Sequence, residues 1–181
     1  DQLPQWYDYL KQKNIPIKYS YKPKSGGPHD GFVAIDPGGY LLEFEEFKQH
    51  PENELLMAIL KEGSKIQTKT KGLSFFGTIT WTYHKDIPIM QDFYEQVLGF
   101  ELVADQGWTK IYQTAQYSFI GLVDECRGME NYAEEKAMEL TWHVSKITEF
   151  EKYALDTQLP FAYSNKNFEG PENYRYTIAR D

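Results

Sequence analysis

The order of local patterns between residues 77 and 123 constrains the fold of this chain more than any other feature. Residues 77–83 are rich in β-branched and aromatic side chains, which predicts a β-strand. Residues 87–98 carry apolar side chains at helical spacing, after Asp86 as a predicted N-cap and before Gly99 as a predicted stop. Three short strands are then predicted, at 100–103, 108–113 and 117–123. The segment is therefore predicted to form one βαβββ module.

The sequence of this module resembles the vicinal-oxygen-chelate superfamily, which includes glyoxalases, bleomycin-resistance-type binding proteins, fosfomycin-resistance enzymes and extradiol dioxygenases. The resemblance rests on the Lys-Asp turn at 85–86, on Phe-Tyr-Glu-Gln-Val-Leu-Gly-Phe-Glu-Leu at 93–102 and on Leu-Val-Asp-Glu at 122–125. It implies an α+β fold in which paired βαβββ modules form a cupped mixed sheet with helices on the outer face. Because this superfold hosts many chemistries, the resemblance predicts the fold and leaves the activity open.

An internal repeat extends the pattern beyond the first module. Residues 3–17 match residues 147–161 as a helix followed by an apolar strand start, and residues 32–36 match residues 177–181. The offset between the copies is about one domain length, which is too long for a solenoid repeat. The alternative is that these similarities between short helix and strand segments are coincidental.

The repeat predicts how the chain is divided. Residues 1–48 are predicted to be the second half-module of a preceding domain, and 49–74 a linker with a short helix. Residues 75–181 are predicted to be two half-modules of a second domain whose last strand is missing. The second helix of that domain is predicted near 148–157, because Thr148 and Glu151 have the spacing of a capping box.

Composition restricts the partners and the location of the protein. The net charge is -8, and no cluster of Lys and Arg offers the basic face that nucleic-acid phosphates require. No apolar run approaches the roughly 18 residues of a membrane span, so neither nucleic acid nor membrane is a predicted partner. The single cysteine, Cys126, is consistent with a reducing compartment and predicts a cytoplasmic location. An open sheet edge would favour a homodimer.

The resemblance implies where metal ligands would lie if the chain were a metalloenzyme. In the resembled enzymes, His and Glu on the first and last strands of each module bind a divalent ion. The corresponding positions of the 77–123 module are Ile79 and Gly121, whose side chains cannot bind metal. Glu139 and Glu43 take such positions in the other modules, and each could instead be a solvated strand residue. A divalent metal is therefore not favoured for residues 75–181.

Strand alternation predicts which side chains face the ligand side of the sheet. Three sets share that face: Ile79, Trp81 and Tyr83; Tyr117, Phe119 and Gly121; Glu139, Thr141 and His143. Together they predict a cleft lined by Trp81, Tyr83, Tyr117, Phe119 and His143, suited to a small, flat organic ligand. The alternative is ordinary packing of these rings against a helix or a partner.

Strand alternation predicts different positions for His143 and His84. His143 could act as a general base beside Glu139, or be a hydrogen-bonded structural histidine. His84 alternates to the opposite face and is discounted as a site residue.

Three classes of function follow. The favoured one is a small-molecule-binding protein that uses the aromatic cleft. The second is a metal-dependent lyase, isomerase or extradiol-type dioxygenase whose metal site lies in the complete tandem protein. The third is a structural or regulatory protein without a small ligand.

Overall fold

The structure is a computed structural model and describes residues 2–63, 66–67, 70, 72–156 and 167–180. It divides into two compact units. The first contains residues 1–80 and 102–119, and the second contains residues 81–101 and 120–181. The sequence-based division at residues 48 and 74 stays a prediction.

Four α-helices and twelve strands make up the described part of the chain. The helices are α1 (Leu3–Gln12), α2 (Glu54–Glu62), α3 (Ile87–Asp92) and α4 (Ile147–Asp156). The first six strands are β1 (Ile17–Tyr19), β2 (His29–Ile35), β3 (Leu41–Phe47), β4 (Ile66–Gln67), β5 (Ser74–Phe75) and β6 (Thr78–His84). The others are β7 (Glu101–Asp105), β8 (Thr109–Ala115), β9 (Ser118–Asp124), β10 (Glu139–Val144), β11 (Asn167–Glu169) and β12 (Arg175–Arg180). Among the described residues, no helix has both the length and the apolar character needed to cross a membrane.

The strands form sheets ordered β1-β2-β3, β6-β9-β8-β7 and β10-β12-β11, with a small β4-β5 pair. In two of these sheets, the strand that precedes a helix lies beside the last strand of its module: β6 beside β9, and β10 beside β12. This is the βαβββ-like order that the sequence predicts, and the α+β fold class is confirmed.

The two copies of the repeat differ in strand direction. β2 and β12 are each the central strand of a three-stranded sheet. β2 runs antiparallel to both neighbours, whereas β12 is antiparallel to β11 and parallel to β10. The position beside β12 that corresponds to β3 is therefore taken by β10, and β12 has a paired strand on each side.

The helical segment that starts with α3 begins and ends where the sequence predicts. The Asp86 carboxylate accepts a hydrogen bond from the Ile89 backbone N–H at 3.1 Å, and Pro88 lies in the first turn. The helix continues as a π-helical turn over Phe93–Val97 and stops at Gly99, whose φ of +69° is left-handed. α4 begins one residue earlier than predicted, at Ile147, so Thr148 lies inside the helix.

In the first unit, α1 covers one face of the β1-β2-β3 sheet. Leu3 and Trp6 of the helix are buried in one cluster with Phe32. The ring of Phe32 stacks on Phe44, its direct partner across β2 and β3, with the centroids 4.8 Å apart. Because successive strand residues point to opposite faces, residues 33, 43 and 45 lie on the face that α1 does not cover.

In the second unit, aromatic rings bury one face of the β10-β12-β11 sheet. Tyr176 of β12 is fully buried, and its ring stacks on Trp142 and on Phe168, with centroids 5.0 Å away in each case. Phe150 of α4 stacks on Phe168, so the helix lies against this face. The other face of β10, which carries Glu139, is exposed.

Candidate functional site

The first candidate feature is a pair of carboxyl groups on the uncovered face of the β1-β2-β3 sheet. Glu43 is paired with Val33 across β2 and β3, and Glu45 is paired with Gly31. A Cβ atom at position 31 would lie 2.9 Å from the backbone oxygen of Phe44 and 3.4 Å from Cγ of Glu45, so the glycine permits the close approach of β3 at this point. The Glu45 Oε1 atom lies 3.7 Å from Nε2 of His29, on the same face.

Burial changes the protonation of this group of side chains. It raises the pKa of Glu43 to about 7, because the carboxylate gives up hydration. It raises the pKa of Glu45 well above its usual range, and the charge of Glu43 adds to the effect. Burial also lowers the pKa of His29, whose Nδ1 atom has no hydrogen-bond partner among the described residues. A carboxyl group that titrates near pH 7 can both give and accept a proton under ordinary conditions.

The second candidate feature is an aromatic surface on β6. Trp81 and Tyr83 are partly exposed, whereas the alternate residues Thr82 and His84 are fully buried. A Cβ atom at Gly121 would overlap the Trp81 ring, and one at Gly128 would lie 2.5 Å from the Tyr83 ring. Each ring therefore lies directly against a glycine.

This packing explains why a metal site does not fit here. Position 121 is one of the ligand positions that the resemblance implies, and the Trp81 ring fills the space that a ligand side chain would need. The described residues contain no group of three or more His, Cys, Asp and Glu side chains that could hold a metal ion. Position 121 therefore has no room for a metal-binding side chain while the Trp81 ring lies there.

Two other predicted cleft residues, Tyr117 and Phe119, belong to the first unit. Phe119 is 2% exposed, and its ring would lie 3.3 Å from a side chain at Gly77. The Tyr117 hydroxyl donates to the backbone oxygen of Glu62 at 3.3 Å, at the end of α2. Phe119 is therefore a core residue of its unit. A single cleft formed by all five predicted residues stays a prediction.

Glu139, Thr141 and His143 share one exposed face of β10, in line with the predicted alternation. Glu139 accepts a hydrogen bond from the Thr177 hydroxyl on the neighbouring strand, and Thr177 Oγ1 lies 2.6 Å from Oδ1 of Asn167. His143 is paired with Ala179. The roles of Glu139 and His143 in catalysis, and of Glu139 and Glu43 in metal binding, stay predictions.

His84, which strand alternation predicts to face away from the ligand side, is fully buried and hydrogen-bonded on both ring nitrogens. Its Nδ1 lies 2.7 Å from Oε2 of Glu172, and its Nε2 lies 2.8 Å from the Thr82 hydroxyl. Burial lowers the pKa of His84 to about 3, and the charge of Lys136 acts in the same direction. The contact with Glu172 favours the charged ring, and in a neutral ring Nδ1–H donates to Glu172. The Thr82 hydroxyl donates to the Gly121 backbone oxygen at 3.1 Å, so a neutral Nε2 competes with that oxygen for its single proton.

Glu172 also closes the turn between β6 and α3. Its Oε1 accepts from the backbone N–H groups of Lys85 and Asp86 at 2.9 and 3.0 Å. Glu172 and Asn173 are both left-handed, with φ of 56° and 64°, which costs a non-glycine residue about 1 kcal/mol or more. The turn that contains Glu172 is indicated in the sequence by Gly-Pro-Glu-Asn at 170–173. Nothing in that sequence indicates that Glu172 pairs with His84.

Comparison with known proteins shows the fold. No protein-family model matches the sequence, and no curated protein matches it. A structure of a glyoxalase I mutant from Zea mays is similar with a TM-score of 0.63 and 15% identity, covering 99% of this chain and 64% of the maize chain. The chain therefore spans about two thirds of the length of that enzyme.

Shorter proteins match part of the chain. Lactoylglutathione lyase from Agrobacterium tumefaciens is similar over 57% of this chain and 91% of its own, with a TM-score of 0.45 and 13% identity. The fosfomycin resistance protein FosX from Listeria monocytogenes covers 57% of this chain and 91% of its own, with a TM-score of 0.44 and 10% identity.

The contact between Gly121 and Trp81 predicts a coupled pair of substitutions. Gly121→Ala should destabilise the protein by roughly 1–3 kcal/mol in chemical denaturation, because the new Cβ overlaps the indole ring. The loss should shrink in a Trp81→Ala background, which removes the obstacle. Gly27→Ala is the matched control, since a Cβ there meets only ordinary contact at 3.7 Å. Equal losses with and without Trp81 would contradict this packing.

The raised pKa of Glu43 predicts how stability changes with pH. The pKa of Glu43 is about 7 in the folded state, against an ordinary value of 4.5 for an unperturbed group. Between these pH values the folded state binds more protons at Glu43 than the unfolded state does. The free energy of unfolding therefore falls as pH rises through this window. Glu43→Gln should therefore remove roughly 1–3 kcal/mol of the stability loss between pH 4.5 and pH 7. Denaturant melts across this range measure the effect, with Glu46→Gln on the other face of β3 as the control for loss of one charge. An unchanged slope in Glu43→Gln would show that Glu43 is not desolvated.

Proposed function

We propose that this chain, which has the glyoxalase fold, is a small-molecule-binding protein of the glyoxalase and bleomycin-resistance type. Its ligand would stack on Trp81 and Tyr83. The observation that carries the proposal is the pair of partly exposed rings on β6, each lying directly against a glycine. Rings held in this way present a flat apolar face without any further ordering of their side chains.

The chemistry of this surface favours a planar ligand. An aromatic face binds another flat ring by offset stacking, and such a pair contributes about 0.5–1.5 kcal/mol beyond its buried area. An immobile ring also loses little conformational entropy on binding. Since a side chain at position 121 would overlap the Trp81 ring, this position of the ring requires glycine at 121.

Composition and cysteine content bear on the ligand class and on the location of the protein. An acidic chain without a basic cluster supports a small organic ligand over nucleic acid. The cytoplasmic location rests on a single free cysteine, Cys126, which is exposed. A homodimer through sheet edges remains a proposal.

Tryptophan fluorescence tests the binding proposal, with 2-naphthol as the first probe. We expect 2-naphthol to quench the fluorescence of the unaltered protein, and Trp81→Ala to weaken binding by roughly 1–3 kcal/mol, the usual effect of removing an aromatic anchor. Trp81→Phe should keep most of the affinity, measured by calorimetry, while losing the quenching, because the stacked ring remains and the fluorophore does not.

The matched control is Trp142→Phe, which removes an indole that is stacked on Tyr176. It should leave both affinity and quenching intact. The proposal fails if Trp81→Ala binds 2-naphthol as tightly as the unaltered protein, or if Trp142→Phe alone abolishes the quenching.

The second candidate function is the lyase, isomerase or extradiol-type dioxygenase activity of the resembled metalloenzymes. The pKa of Glu43 near 7 favours it, because such a carboxyl group suits general acid–base catalysis. Glu43 also takes the position that the resemblance implies for a metal ligand. The described residues offer no complete set of metal-binding side chains around it, so no step through a metal is derived.

Metal retention separates the two candidates. The protein is equilibrated with Mn, Fe, Ni or Zn, desalted and analysed for bound metal. The binding proposal predicts that less than one equivalent is retained and that Glu43→Gln changes nothing. Retention of one equivalent by the unaltered protein and by Glu46→Gln, with loss in Glu43→Gln, would show a metal site at Glu43 and favour the enzyme candidate instead.

A further inference from the structure

A lysine of the second unit lies between two tyrosine rings. The Lys136 ammonium is 3.5 Å from the ring centroid of Tyr132 and 4.4 Å from that of Tyr174. It also donates a hydrogen bond to the backbone oxygen of Ala133. Both ring distances lie within the roughly 6 Å at which a cation is attracted to the face of an aromatic ring. We call the two rings the Tyr132–Tyr174 cage.

Both rings of the cage are held in place by other bonds. Tyr174 is 5% exposed, and its hydroxyl accepts from the Tyr83 backbone N–H at 3.0 Å and lies 3.3 Å from the Tyr83 oxygen. The Tyr132 backbone N–H donates to Glu125 at 3.1 Å, and its hydroxyl donates to Glu134 at 3.2 Å. None of these bonds involves Lys136, so the cage does not depend on the lysine for its geometry.

The surroundings of the cage attract positive charge. Glu172, Glu134 and Glu125 act on Lys136 and favour its charged form. Lys85, whose ammonium lies 4.1 Å from the Tyr132 ring centroid and 2.8 Å from Glu134, acts in the opposite direction. Burial also acts against the carboxylates and lowers the pKa of Lys136, which means that the ammonium has given up hydration to enter the cage. A quaternary ammonium is less strongly hydrated than a lysine and would give up less for the same contacts.

An open pocket of about 480 Å³ adjoins the lysine. It is lined by Glu134, Glu135, Lys136, Glu169, Asn173 and Arg175. Three of these side chains are acidic and two are basic. Since Glu134 also pairs with Lys85, withdrawal of Lys136 would leave Glu135 and Glu169 against the Arg175 guanidinium. The pocket thus offers space beside the cage for the remainder of a cationic molecule.

We propose that the Tyr132–Tyr174 cage is a binding site for organic ammonium ions, such as a trimethylammonium group, and that Lys136 is its internal competitor. The two rings would hold the cation, Glu134 and Glu172 would balance its charge, and the pocket would accept its substituent. This site is separate in chemistry from the Trp81 and Tyr83 surface, which is proposed for a neutral flat ligand.

Choline is the probe, and 3,3-dimethyl-1-butanol, its uncharged isostere, is the ligand control. In calorimetry at constant ionic strength, Lys136→Ala should bind choline at least about tenfold more tightly than the unaltered protein, because the ammonium between the two rings is removed while the rings stay. Lys146→Ala is the matched control variant, since it removes the same charge from an exposed lysine that pairs with Glu149. It should bind choline as the unaltered protein does.

A second substitution assigns any binding to the cage. Adding Tyr132→Ala to Lys136→Ala should abolish the gain, with thermal melts confirming that the variants are folded. The proposal is overturned if Lys136→Ala binds choline no more tightly than Lys146→Ala, if the uncharged isostere binds equally well, or if Tyr132→Ala has no effect.

The unaltered protein provides a test that does not depend on any variant folding. Choline should shift the ring proton resonances of Tyr132 and Tyr174 in NMR spectra and release the Lys136 contact, and 3,3-dimethyl-1-butanol should not. The proposal would also be overturned if the ring resonances of Tyr132 and Tyr174 stay unchanged over the whole choline titration.

Discussion

Aromatic packing between a helix and one face of a sheet decides what the opposite face is free to do in each unit. Phe32 and Phe44 bury one face of the β1-β2-β3 sheet under α1, and Tyr176 with Phe168 buries one face of the β10-β12-β11 sheet against α4. Because successive residues of a strand point to opposite faces, the residues that alternate with these aromatic residues lie on the face that the helix does not cover. The positions of Glu43 and Glu139 follow from this packing.

Glycine positions control the chemistry that the uncovered faces carry. Gly31 permits the close approach of β3, and Gly121 leaves room for the Trp81 ring. Beside Gly31 lies a desolvated carboxyl pair with raised pKa values, and beside Gly121 lies an aromatic surface. The same fold therefore presents two different chemistries in its two units.

The second unit is also held together by polar groups far apart in the chain. Glu172 accepts three hydrogen bonds from the end of β6 and the turn that follows it, at the expense of two consecutive left-handed residues. Tyr174, two residues on, bonds to the backbone of Tyr83 and forms one wall of the cage around Lys136. A short turn thus supports both a buried histidine and a cation-binding arrangement.

Local patterns were sufficient to predict the elements. Asp86, Pro88 and Gly99 place the start and end of the helical segment that begins with α3, and strand alternation places Trp81 with Tyr83 and Glu139 with His143. These features depend on neighbours within a few residues, so the sequence by itself determined them, together with the α+β fold class. The start of α4 was predicted one residue too late, because the capping-box spacing at Thr148 is not used.

The tertiary structure alone decided which of these residues have unusual environments. His84 was set aside because its strand alternation was correctly predicted, but its partner Glu172 is 88 residues away. The pKa of Glu43 depends on how much water the folded chain excludes. The place of Lys136 between two rings depends on contact of its loop with Tyr174, the residue before β12. Desolvation and contacts between distant segments are properties of the packed chain, and no spacing within a single strand or helix carries them.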